Sequence, residues 1–493
     1  MALAPLNPET RNLIDGRLVG ASNGATFENV NPATEEVIGT CSDGTKDDMH
    51  AAIAAARRAF DETDWSRDHA LRARCIRQLQ EAFQENLEEI RRSYIAEVGC
   101  PIATTYGPGV DEPVKSLAYY ADFLEKYQWA EDLGNGEAFG MKAHRWIERE
   151  PVGVVGAISA WTFPHELNLK KTGWALAAGC TVVLKGAPAT PWCALLLGRF
   201  IHENTDIPPG VVNVITSSQN DIGERIVVDP RVDMISFTGS TAVGRRILAV
   251  SAPHIKRTAL ELGGKSALVL LDDLPATAIP AIAGQAGSSV CAHSGQGCAH
   301  LTRILVPKRH LEASAEALKA AMANVVVGDP NDPQTIQGPQ CSAAQRERVL
   351  ALIQKGIAEG SKLLCGGGRP KHLTKGYYVE PTAFIAQPGD TVAQQEFFGP
   401  VQCLIGYEDE KDAVRIANHS IYGLSGGVLS ADLERGKRFA RRIRTGTMMI
   451  NGGIWYGPEV PFGGYKCSGL GRENGRVGFE EFLEVKALAE PVA

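Results

Sequence analysis

Three short segments carry residue types that could do chemistry together. Cys298 lies in Ser294-Gly295-Gln296-Gly297-Cys298-Ala299-His300, where small neighbours leave its sulfur free to meet a substrate. A thiolate in such a place is a nucleophile, and nearby backbone N–H groups would stabilise it. Glu261 lies in Leu260-Glu261-Leu262-Gly263-Gly264-Lys265, at the end of an apolar run. A carboxyl between apolar residues is desolvated, which raises its pKa toward the range of a general base. Phe237-Thr238-Gly239-Ser240-Thr241-Ala242-Val243-Gly244 reads as a strand end turning into a helix, whose first N–H groups could face a pyrophosphate. Each segment has a plain alternative: a core thiol, a salt-bridged glutamate, a glycine turn. Cys291-x-His293 and Cys298-x-His300 also permit a zinc cluster or a Cys/His dyad, although spacings of one residue fit zinc sites poorly. No G-x-G-x-x-G fingerprint occurs, which counts against a standard dinucleotide fold.

The elements around these segments alternate. Apolar runs at 151–158, 181–184, 211–215 and 234–237 are separated by helical patterns, which predicts βαβ units on a parallel sheet covered on both faces. A second α/β unit opens at Ser266 to Leu271 and continues past Thr302 to Val306. The first part of the chain reads as helical. Thr45 and Asp48 form a capping box before an alanine-rich helix, and a charged helix runs from Ser66 to about Val98, ending at Gly99 and Pro101. Two segments, Gly140 to Glu150 and Phe479 to Ala487, read as isolated strands whose edges need covering, by another subunit for example.

Composition narrows the class. A chain of 493 residues exceeds one ordinary core and divides into two or three domains. A formal net charge of -7 argues against nucleic acid or an anionic membrane as the main partner. No apolar stretch approaches the length of a membrane span, and Met1 to Thr10 lacks the pattern of a secretory leader. Eleven cysteines, an odd number without framework spacing, suggest free thiols in a reducing compartment, so a cytoplasmic location is expected.

Taken in order, the segments resemble the aldehyde dehydrogenase superfamily. The resemblance runs from about Leu13 to Val485 and rests on Phe237-Thr238-Gly239-Ser240, Glu261-Leu262-Gly263-Gly264-Lys265, Gly295-Gln296-Gly297-Cys298, Glu396-Phe397-Phe398-Gly399-Pro400-Val401 and Pro461-Phe462-Gly463-Gly464-Tyr465-Lys466. It implies an α/β architecture: a modified Rossmann cofactor domain (1–123 and 150–261), an α/β catalytic domain (262–465) and a small oligomerisation arm (124–149 and 466–493), giving a homodimer or homotetramer. It implies NAD(P)-dependent oxidation of an aldehyde, with Cys298 as nucleophile and Glu261 as the base that activates the deacylating water. Lys185 would hold ribose hydroxyls, Trp161, Gly239, Ser240 and Gly244 would lie at the pyrophosphate, and Glu396 would bind the nicotinamide ribose beside Phe398. Glu473 matches a second acidic residue that relays protons. No metal is implied.

Two departures from the family pattern matter. Ala160-Trp161-Thr162-Phe163-Pro164 carries Thr162 where the family has an asparagine that donates to the oxyanion. Losing one such donor typically slows turnover by on the order of 100- to 1000-fold. The alternative reading is therefore a nucleotide-binding protein with little dehydrogenase activity. Pro188 stands where a glutamate often repels the 2′-phosphate of NADP, which leaves NAD or NADP, with NAD favoured because no basic residue appears beside it. Position relative to the motifs puts Phe163, Leu167, Trp455, Tyr456 and Phe462 in the substrate pocket, with Lys170 and His300 adding polarity. The aromatics suggest an apolar aliphatic or aromatic aldehyde.

Overall fold

The structure is a computed structural model and describes residues 6–492; Met1–Pro5, on which half of the leader reading rests, lie outside the described residues. Five apolar runs form a parallel core: Val154–Ile158, Thr181–Lys185, Val212–Ile215, Met234–Thr238 and Arg257–Glu261. Their spatial order is fifth, fourth, first, second, third, so the order reverses between Val154–Ile158 and Met234–Thr238. Every residue of the first four is buried except Ile158, which is partly exposed; helices cover both faces, as continuous apolar runs require. Gly469–Leu470 joins one edge and Asn12–Ile14 with Arg17–Val19 the other, giving eight strands.

A second, seven-stranded sheet has Ala267–Leu270, Arg303–Pro307, Val401–Tyr407 and Gly426–Leu429 at its centre, all parallel. Lys362–Cys365 is its one antiparallel strand. The chain passes from the first sheet to the second through Leu262 to Ser266, so Glu261 sits on the seam between them.

Several expectations change. The first part is not wholly helical: Asn12–Ile14, Arg17–Val19, Thr26–Val30 and Val37–Ser42 are strands that precede the first helix. That helix, Lys46–Glu62, does begin with the Thr45/Asp48 capping box. The long charged helix is two helices, His69–Glu85 and Leu87–Val98, broken at Asn86 and capped by Asp68 rather than Ser66. Gly99 takes φ 71° at its end, the left-handed conformation glycine suits. The two odd strands pair with each other, Leu483–Pro491 against Met141–Pro151, and Ala130–Ala138 completes a three-stranded sheet. Phe479 belongs to the helix Gly475–Glu480, because its ring packs 4.7 Å from Tyr127 and 5.0 Å from Phe123 in an aromatic cluster. Among the described residues no helix is long and apolar enough to cross a membrane.

Candidate active site

The residues singled out for chemistry gather at the carboxyl ends of the parallel strands, where the order reverses. Ile158 leads into Trp161 and Thr162, Thr238 into Gly239 and Ser240, and Arg257–Glu261 ends on Glu261 itself. Two cavities open there. One, of about 370 Å³, is lined by Trp161, Gly239, Ser240, Glu396 and Phe398; the other, of about 360 Å³, by Phe163, Leu167, Lys170, Trp455, Tyr456 and Phe462. Thr162, Thr238, Glu261 and Cys298 line both, so the thiol stands where the two cavities meet.

The motifs interlock through contacts only glycine permits. A Cβ on Gly264 would lie 2.4 Å from the Cys298 carbonyl oxygen, and one on Gly295 would lie 2.0 Å from the Gly399 carbonyl. Gly295, at φ 71°, follows His293 and Ser294, which are also left-handed at φ 51° and 58°. This run turns the chain sharply toward Cys298. Gln296 braces the turn by accepting from the Cys341 amide at 2.8 Å, and Gln340 donates to the Ser294 carbonyl at 2.8 Å. Gly263 leaves room for the Glu396 carboxylate, which accepts from the Gly264 amide at 2.7 Å.

Thr162 is held through its backbone. Its carbonyl accepts from the His293 Nε2–H at 2.7 Å and from the Tyr94 hydroxyl at 3.1 Å. Burial keeps the His293 imidazole neutral by pushing its pKa to about 4, so Nε2 carries the proton. The threonine side chain lines both cavities.

Buried charge surrounds the junction. Burial, with Glu473 close by, pushes the Glu261 carboxyl well above its ordinary pKa, and its Oε2 has no hydrogen-bond partner. Glu473 goes the other way: burial alone would raise it, but Lys171 and Lys170 hold it below the ordinary carboxylate value. Lys171 donates to Glu473 at 2.7 Å and to Ser236 at 3.1 Å. Lys170 donates to Glu166 at 2.7 Å and stands 3.7 Å from Glu473. Burial and the carboxyls of Glu261 and Glu396 also push the Cys298 thiol up, so the thiolate needs a proton acceptor at hand.

On the cofactor side, burial drives the Lys185 ammonium down to about 8, opposed by Asp43, and its bonds to the Gly186 and Ser217 carbonyls are long, at 3.3 and 3.5 Å. Ser240 caps the helix Thr241–Ser251, accepting from the Val243 amide, so its hydroxyl is engaged while the helix N-terminus faces the cleft. Trp161 meets Phe398 edge-on at 5.5 Å. Pro188 is exposed. Glu166, Lys171 and His293 were absent from the expected site, as were Gln345 and Arg348. These last two stand one helical turn apart and hold the carbonyls of Glu396 to Phe398. The signal for Glu166 was its i,i+4 spacing to Lys170. Of the residues considered for zinc, Cys291 is buried with its sulfur 3.6 Å from that of Met322.

A crevice at the carboxyl ends of parallel strands, where their order reverses, is where doubly wound sheets bind dinucleotides. The fold is that of an NAD(P)-dependent oxidoreductase. The model of the aldehyde dehydrogenase family matches residues 19–488, and the chain belongs to that family. It is 40% identical over 481 residues to the 3-succinoylsemialdehyde-pyridine dehydrogenase of a Pseudomonas species, covering 96% of this chain and 97% of that protein. Among solved structures it resembles a mutant of aldehyde dehydrogenase C from Pseudomonas syringae with NAD+ and octanal (TM-score 0.91, 37% identity, 99% of this chain and 98% of that one). It also resembles the aldehyde dehydrogenase of Mycobacterium tuberculosis with NAD+ (TM-score 0.92, 38% identity, 98% of both chains). The chain is an NAD(P)-dependent aldehyde dehydrogenase, oxidising an aldehyde to the acid.

Proposed function

We propose that this oxidation runs through a covalent thioester on Cys298. The observation that carries the reading is the shared wall of the two cavities: Cys298, Glu261, Thr162 and Thr238 face substrate and cofactor clefts at once. Glu261, with its raised pKa and free Oε2, suits the role of proton acceptor. It takes the thiol proton, and the sulfur adds to the aldehyde carbon. The carbonyl electrons move onto oxygen, where the Cys298 amide and the Thr162 hydroxyl receive the negative charge. Lys185, Ser240 and Glu396 would hold a dinucleotide whose nicotinamide would supply the hydride acceptor that lets the carbonyl reform as a thioester. Once that first proton has been passed on, Glu261 draws another from water, the hydroxide adds to the thioester, and the acid departs as the thiolate is restored. Glu473, ionised beside two lysines, carries protons from Glu261 outward.

Lys185, the helix N-terminus at Ser240 and the Glu396 carboxylate fit a dinucleotide: a donor for ribose hydroxyls, amides for pyrophosphate, an acceptor for the second ribose. Two solved relatives hold NAD+, and we assign NAD as the preferred cofactor. Eleven free thiols support a cytoplasmic location. Exposed Phe139, in the turn between two strands of the three-stranded sheet, and Met141 and Val485 on those strands support assembly into a homodimer or homotetramer, with that sheet and its neighbours as the arm.

Absorbance of the reduced cofactor with octanal tests the reading. Wild type is expected to turn over and Cys298→Ala to be silent while still binding nucleotide. A Cys298→Ala enzyme of normal rate would overturn it.

A further inference from the structure

The aromatic-lined pocket, to which Lys170 was expected to add polarity, has a charged wall. Phe163, the N-cap of Pro164–Ala178, and Glu166, Leu167 and Lys170 within that helix follow helical spacing; every residue of the helix is buried except Glu166, and all four line the substrate cavity. Burying two charges there is costly unless something uses them. Their partners are accounted for. Glu166 accepts from Lys170 at 2.7 Å. The Lys170 ammonium has three N–H groups and spends one on Glu166. Glu473 Oε2, at 3.7 Å, is beyond hydrogen-bond reach and has no hydrogen-bond partner. Lys170 also lies 5.4 Å from the centroid of the Phe462 ring, which stacks on Trp455 at 5.7 Å with 16° between planes. A flat aromatic slab thus ends at a buried cation with donors to spare.

We propose that Lys170 selects the substrate: this dehydrogenase takes aldehydes whose tail carries a neutral hydrogen-bond acceptor, such as a ketone oxygen, a phenol oxygen or an aromatic ring nitrogen. The proposal rests on the dehydrogenase reading and adds the substrate class. Charge balance favours a neutral group over a carboxylate. Lys170 and Lys171 already face Glu166 and Glu473, two cations against two anions, so an anionic tail would add an unbalanced buried charge. A neutral acceptor fills an open donor and leaves the balance intact. The Trp455–Phe462 slab holds the adjoining ring or chain, and Cys298, which lines the same cavity, meets the aldehyde.

The test compares two aldehydes of nearly equal size, 4-oxo-4-phenylbutanal and 4-phenylbutanal, which differ by a ketone. Wild type is expected to favour the ketone on the order of tenfold or more in kcat/KM, the scale of a hydrogen bond to a charged donor. The Glu166→Gln/Lys170→Met double variant removes cation and anion together, so no unpaired charge is left behind. It is expected to bring the ratio near one by raising KM for the ketone alone, whereas Lys170→Arg keeps the preference. A ratio near one in wild type, or one unchanged in the double variant, overturns the proposal. So does a preference for 4-oxobutanoate over butanal, which would make the pocket an anion site. Octanal separates the two levels: if wild type oxidises octanal and shows no ketone preference, only the substrate class fails. If it oxidises none of these, the dehydrogenase reading itself fails.

Discussion

Lys171→Met would leave the Glu473 carboxylate buried with its nearer cation gone. The Lys171 side chain is 0% exposed and its ammonium lies 2.7 Å from Glu473 Oε1. At that separation, Coulomb attraction with an effective dielectric of 20 is about 6 kcal/mol. Removing one partner of a buried pair costs roughly 3–5 kcal/mol, because the other charge is stranded. Wild-type Glu473 has a depressed pKa in the folded state, so its contribution is present above the unfolded carboxylate pKa and is lost as pH falls through the folded value. In Lys171→Met the sign reverses. The stranded carboxyl gains a raised folded pKa, and its penalty fades as pH falls and it takes up a proton. Each pH unit is worth up to about 1.4 kcal/mol, so the deficit shrinks by up to about 2.7 kcal/mol between pH 7 and pH 5. Urea unfolding followed by tryptophan fluorescence reads this, since Trp174 donates to Asn474, the residue after Glu473. The double variant Lys171→Met/Glu473→Gln should recover most of the loss. A deficit below about 1 kcal/mol, or one that does not change with pH, would refute the reasoning: Glu473 would then be stabilised by something other than Lys171.

Three further outcomes follow from the site. Thr162→Val should slow turnover by on the order of 100-fold by removing an oxyanion donor, and Thr162→Asn should meet or exceed wild type; a Val variant of full rate would show that the hydroxyl contributes nothing. Glu261 must lose its proton to act, and its pKa is raised, so kcat should climb with pH above the ordinary carboxylate range and flatten in Glu261→Gln; a wild-type profile already flat at acid pH would remove Glu261 from the base role. Gly295→Ala places a methyl 2.0 Å from the Gly399 carbonyl at φ 71°, and its thermal midpoint should drop by several degrees or the protein should fail to fold; an unchanged midpoint would mean the turn before Cys298 tolerates a side chain.

The parallel core was legible because buried strands such as Met234–Thr238 are short, largely apolar runs that alternate with helical patterns along the chain. Cys298, Glu261 and the glycines around them were legible as motifs, and the contacts of Gly264 and Gly295 give the physical reason: backbone passes where a Cβ would stand. Other features were set by tertiary contacts. Ala130–Ala138 is polar and exposed and becomes a strand only by pairing with Met141–Pro151. Asn86 ends one helix by turning its amide back to the Ala82 carbonyl, which hydrophobic periodicity does not register. Phe479 reads as a strand start, yet its place is fixed by rings from Phe123, Tyr127 and Trp174. Half of the pocket's charged wall was hidden for a related reason. Lys170 was expected there, but its partner Glu166 looks like a solvated helix position until Pro164–Ala178 is seen to lie in the core.

The central claim is the covalent intermediate on Cys298. Acid quenching of wild type during turnover of octanal with NAD+ traps the thioester, so mass spectrometry of the quenched enzyme tests it directly. One octanoyl group per chain is expected, mapped to the peptide containing Cys298 and absent from Cys298→Ala. An unmodified protein that nonetheless reduces NAD+, or an acyl group on another of the eleven cysteines, would contradict it.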